Sequence, residues 1–163
     1  MFWIQSEFRA AAQEAEENWV VTDISQYPEI RDEWYQKWLI EHFPEQIPEN
    51  ATEIHLMYSP PFLQKGALLQ LWLRLPEDEI KRLWAHYSEI ALEKEGEQTY
   101  LPRSYTALNM YHKTDKPEGE MLPVGYEIMV LGAESRDNGN HGYTYGVAIN
   151  NVTSEILYWS ETW

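Results

Sequence analysis

From Tyr126 to Trp163 the chain reads as three strand-length runs, YEIMVLGAE, GYTYGVAI and EILYWSETW, separated by SRDNGN and by the pair Asn150–Asn151. Side chains of an extended strand point to alternate faces, and Asn, Asp and Gly supply the conformations that let a chain double back. Little other than an antiparallel meander accommodates this stretch. In GYTYGVAI the alternation puts Tyr143, Tyr145, Val147 and Ile149 on one face, with Thr144, Gly146 and Ala148 on the other. Both faces of EILYWSETW are heavy: Ile156 and Tyr158 oppose Leu157, Trp159 and, near the terminus, Trp163. A glycine inside a strand leaves backbone uncovered, and a ring from the next strand can cover it, so Trp159 is expected to lie across Gly146.

A second two-residue period lies upstream. Ile54, Leu56 and Tyr58 alternate with His55 and Met57 until Pro60 and Pro61 forbid further pairing. After Gly66, Leu69, Leu71, Leu73 and Leu75 point one way and Gln70, Trp72 and Arg74 the other, which makes the two runs a hairpin. Three segments carry helical spacing instead. They are Ser6 to Asn18, with Phe8, Ala11, Ala12 and Ala15 leading to Trp19; Pro28 to Phe43, with Ile30, Trp34, Tyr35, Trp38 and Leu39 on one broad face; and Glu77 to Glu95, with Ile80, Leu83, Trp84, Tyr87, Ile90 and Ala91. The last also places Glu77 and Asp78 four residues before Lys81 and Arg82, pairs that support a helix by about 0.3 kcal/mol each. Gly96 is the expected stop, and Gln98 to Pro123, with no steady period, reads as a long connection.

The fold class expected is therefore α+β, an antiparallel sheet of about five strands, hairpin plus C-terminal meander, packed with about three helices. The 163 residues suit a single domain, with a helical N-terminal part over 1–50 and a sheet with one long helix over 51–163.

Charge bounds the partners. Twelve Lys and Arg against 27 Asp and Glu give a formal net charge of -15, which repels phosphate backbones and excludes nucleic acid as a natural partner. A cationic protein, a cationic small molecule or a hard metal ion stays electrostatically allowed. Eight Trp and eleven Tyr supply rings with one apolar body and one polar edge, the residue types that interfaces favour. No apolar run approaches the roughly 20 residues of a membrane span, so no transmembrane segment is expected. MFWIQSEF meets Glu7 too early to act as a secretory leader.

Motifs for chemistry are sparse. The chain has no cysteine, hence no thiolate nucleophile, disulfide or sulfur-ligated metal. It also lacks a nucleophile elbow, a phosphate-cradling glycine loop and a calcium-loop pattern. His42 with Glu45 has metal-ligand character, but Pro44 between them breaks the helical geometry that would align the two, and Glu53 with His55 shares a strand face as two common residues often do. His141 follows a turn and is expected exposed and unemployed. No catalytic residue, metal site or cofactor is therefore assigned. The candidate binding residues are Trp72, Tyr143, Tyr145 and Trp159, rings on strands that would form a shallow aromatic groove if they faced solvent.

HFPEQIPENA (His42 to Ala51), FLQKGALLQLWLRLPEDEI (Phe62 to Ile80) and HGYTYGVAINNVTSEILYWSETW together resemble a family of bacterial proteins of uncharacterised function, over about three quarters of the chain. The family's Gly-Gly in the hairpin turn stands here as Lys65-Gly66. Members often carry a lipoprotein signal or membrane anchor ahead of a domain of this size. The resemblance therefore implies extracytoplasmic placement, while the lack of a leader in this chain leaves the cytoplasm open. It implies no activity, and no functional residue is carried over.

Together these features point to a non-catalytic binding or interaction domain whose acidic, aromatic surface meets a protein, a peptide or an envelope component. Two other readings compete: a small hydrolase with paired carboxylates acting on glycans, and a cytosolic inhibitor or immunity-type protein neutralising a basic enzyme.

Overall fold

A computed structural model of the protein describes residues 20–61, 66–94, 125–136 and 141–163. The alternating stretches form the expected strands. Thr52–Ser59 (β1) and Leu68–Arg74 (β2) pair as an antiparallel hairpin, while Glu127–Arg136 (β4), His141–Asn150 (β5) and Glu155–Thr162 (β6) form the meander. A two-residue strand, Glu93–Lys94 (β3), adds a sixth member beside β4. The sheet runs β1-β2-β6-β5-β4-β3, every pair antiparallel, with hairpin and meander fused where β2 meets β6 from Leu68↔Glu161 to Arg74↔Glu155. The β1 edge is blunted in ways that discourage pairing with another chain. Glu53 takes a left-handed backbone (φ 48°) beside a register slip between Thr52 and His55, and Val21 bridges Tyr58 on the outer side of β1.

Each face of the sheet carries its own apolar cluster. The alternate leucines 69, 71 and 73, with Val147, Ile149, Ile156 and Tyr158, pack under the helical elements. Trp72, Ala148, Leu157 and Trp159 turn to the opposite face, where Tyr126, Ile128 and Val130 join them. The expected pairing of glycine with ring is present: Gly146 lies opposite Trp159, and a Cβ on it would sit 2.6 Å from the indole. Gly142 repeats the arrangement beneath Trp163, which also exchanges both main-chain hydrogen bonds with it. Together the two indoles cover the bare side of β5.

The helices differ from expectation. Two α-helices occur among the described residues, Tyr27–Glu33 (α1) and Glu77–Ile90 (α2), not about three; the expected helix over 6–18 lies outside the described residues. The helix expected from Pro28 to Phe43 ends at Glu33. Trp34 becomes extended (ψ 117°), and the chain resumes only as a short 3-10 turn, Lys37–Ile40. The reason is packing. The break lets Trp34 enter the core while Leu39, Ile40 and Phe43 are also buried to 2% exposure or less. Lys37 then satisfies carbonyls freed in the last turn, its Nζ donating to Arg31 O at 2.6 Å and to Asp32 O.

α2 keeps its expected stripe in part, with Ile80 and Tyr87 buried and Leu83 and Trp84 partly so, and both i,i+4 ion pairs are formed. It ends at Ile90, before Gly96, because Ala91 turns extended and Leu92 donates to the Val130 carbonyl as the chain joins the sheet edge.

Candidate functional site

Between the end of α1 and Pro44, three polar side chains tie the chain to its surroundings, one to α1, one to α2 and one to the sheet. Tyr27 donates its hydroxyl to the Pro44 carbonyl at 2.6 Å, and Tyr87 of α2 donates to the His42 carbonyl at 3.0 Å. His42 reaches across the sheet: Nε2 lies 3.0 Å from the Gly146 carbonyl oxygen and 3.1 Å from that of Trp159. Two acceptors at one ring nitrogen require it to carry the proton, so the neutral ring has Nδ1 bare. Nδ1 is sealed from solvent and has no hydrogen-bond partner among the described residues. Burial pushes the imidazole pKa down to about 4, against an opposing pull from the Trp159 and Gly146 carbonyls. This histidine is therefore a neutral joint between the segment and the meander, with neither nitrogen available to a metal.

The joint presents aromatic residues to solvent. Tyr35 and Trp38 are 59% and 42% exposed; Tyr35 lies over the buried Trp34 ring at 6.2 Å, and Trp38 sits against half-buried rings of β5. The Trp38 ring stands almost perpendicular to Tyr143 (4.8 Å between centroids, 87°) and to Tyr145 (5.9 Å, 80°). Those two tyrosines lie roughly parallel, 6.2 Å apart. Tyr145 is braced from below by His42 at 5.3 Å. It has room to lie there because its cross-strand partner is Gly132, where a Cβ would fall 2.3 Å from the tyrosine ring. Tyr35 is tied down by its hydroxyl, 3.2 Å from Thr162 Oγ1. The result is a corner of ring faces, one wall from the short turn and one from the sheet.

The structure thus divides the four candidate rings between opposite faces. Tyr143 and Tyr145 belong to the exposed corner, whereas Trp72 and Trp159, each 1% exposed, lie within the second apolar cluster. Helical spacing places Tyr35 and Trp38 on one broad face with Ile30, Trp34 and Leu39, whereas the structure separates the two exposed rings from the buried three. A signal was nevertheless present in the sequence, because WYQKW puts more large rings around one turn than a single core-facing stripe holds.

The remaining charged candidates do not converge on the corner. His55 packs against Trp72 with centroids 5.0 Å apart, and Glu53 turns to Arg74. His141 is exposed at the start of β5. Arg74 also meets Glu155 at 2.7 Å, and the Glu155 side chain is only 2% exposed. The Tyr126 hydroxyl donates to the same carboxylate and accepts from Trp72 Nε1 at 2.9 Å. Beside Arg74 lies an open depression of about 500 Å³ bordered by Asn50, Thr52, Pro76 and Thr153. Among the described residues, no three of His, Asp or Glu come together as a metal-holding group, and no helix is long and apolar enough to cross a membrane.

Comparison with protein-family models, with curated proteins and with solved structures finds no match for this chain.

Proposed function

We propose that the protein is a non-catalytic binding domain, and that its contact surface is the ring corner formed by Tyr35, Trp38, Tyr143 and Tyr145. The observation that carries this reading is the exposure of Tyr35 and Trp38 on a segment held rigidly by three hydrogen-bonded side chains. A chain that needed these rings only for stability would bury them, as it buries Trp34, Trp72 and Trp159. Rigid, half-desolvated rings with polar edges lose little conformational freedom on association, which is why Trp and Tyr concentrate binding energy. The partner is a protein, a peptide or an envelope component; the resemblance to anchored bacterial domains favours an extracytoplasmic setting.

The paired-carboxylate reading has weaker support. Glu53 and Glu155, which the fold does bring together, both grip one guanidinium, and Glu155 is almost sealed. A general acid must reach its substrate's leaving group, so this pair suits structure better than catalysis.

The test is affinity capture from a bacterial envelope extract with the wild-type protein and with Trp38→Ala as parallel baits. The expected result is a partner held by the first and lost from the second. Equal retention on both baits, or none on either, would remove the assignment.

A further inference from the structure

Resting on that reading of the ring corner, we infer that its occupant is a basic segment of another protein, with an arginine or lysine seated against Trp38. Three observations carry this choice of partner. The first is the charge around the rings. From Glu29 to Glu45 the chain has five acids, Glu29, Asp32, Glu33, Glu41 and Glu45, all exposed, against two bases. Both bases already donate to main-chain carbonyls, the exposed Lys37 to Arg31 and Asp32 and the half-buried Arg31 to Phe43.

The second is ring geometry. Trp38 meets Tyr143 and Tyr145 edge to face, 4.8 and 5.9 Å between centroids, and is itself 42% exposed, so part of the indole stays open beside two further rings. A guanidinium or ammonium is attracted to such faces within about 6 Å, and the attraction is strongest for Trp. Arginine adds planar stacking to the charge.

The third is the charge of the whole molecule. At -15, the chain opposes approach by a second copy, by anionic lipid and by nucleic acid, while it steers a cationic partner inward.

The experiment measures binding to an unstructured arginine-bearing peptide, to the same peptide with citrulline at every arginine, to its glutamate counterpart, and to vesicles of phosphatidylglycerol. Each is tested with wild-type protein, Trp38→Ala and Trp38→Phe, after melting curves confirm that the variants fold. The arginine peptide should bind wild type, lose about tenfold or more in affinity with Trp38→Ala, and lose less with Trp38→Phe, which keeps a ring of weaker quadrupole. Citrulline should weaken binding by about tenfold, and salt should weaken the arginine peptide alone.

If citrulline and arginine peptides bind equally and both need Trp38, the corner is a binding site but charge does not select its partner, and this inference fails alone. The same holds if vesicles bind through Trp38, or if sedimentation shows a dimer that Trp38→Ala dissolves. If the arginine peptide binds wild type and Trp38→Ala alike, contact lies elsewhere and the inference fails. If, in addition, the envelope capture shows no dependence on Trp38, the binding reading fails with it.

Discussion

A carbon added at Gly146 would meet the Met129 carbonyl oxygen at 2.2 Å and the Trp159 ring at 2.6 Å, both in the interior. Gly146→Ala should therefore destabilise the protein by about 3 kcal/mol, seen as a lower urea midpoint at unchanged slope. An unchanged midpoint would mean that the indole does not rest on this glycine. His42 acts on the same strand pair through its proton. The unfolded chain takes up that proton near pH 6.5, whereas the folded protein resists until about pH 4. Stability contributed by the neutral ring is thus complete above pH 6.5, declines as pH falls toward 4, and levels off below, a total of up to about 3 kcal/mol. His42→Gln, whose amide can still donate to the two carbonyls, should flatten that limb; an identical pH profile in both proteins would contradict the buried neutral imidazole. The glycine was legible from alternation alone. The role of His42 was not, because its partners are main-chain carbonyls more than a hundred positions away in sequence.

At the scale of elements, strands were legible because their pattern repeats every two residues and both faces of this sheet are used. The break after α1 was not, because it is decided by what Leu39, Ile40 and Phe43 gain in the core, and helical spacing from Ile30 to Trp38 gives no hint of that competition. That break is what releases Trp38 to the surface, so half of the candidate site was hidden with it. The strand side of the site, Tyr143 and Tyr145, was visible. On the other face, β2, β6 and Tyr126 are stitched by the chain from Trp72 through Tyr126 and Glu155 to Arg74. Burial first, and then the bond to Glu155, raises the Tyr126 pKa, keeping its hydroxyl a donor. Tyr126→Phe removes the hydroxyl that accepts from the Trp72 N–H and donates to a nearly sealed carboxylate, an expected loss of about 1–3 kcal/mol by chemical denaturation. A neutral effect would show that the network is dispensable.

Among the described residues the sheet has two apolar faces, and the one under the helical elements continues into exposed rings. Self-repulsion among 27 carboxylates should make the protein more heat-stable as salt is raised toward about 0.15 M, where screening shortens to about 8 Å. A melting temperature that falls over that range would indicate that attractive surface pairs outweigh the excess. Trp38 is open to solvent on the rings of β5, whereas Trp72 and Trp159 are packed in the core of the opposite face. Fluorine NMR of fluorotryptophan-labelled protein, assigned by single Trp→Phe variants and probed with a soluble nitroxide, measures this directly. The resonance of Trp38 should broaden strongly while those of Trp72 and Trp159 stay sharp; broadening of either buried indole to the same degree as Trp38 would contradict the account.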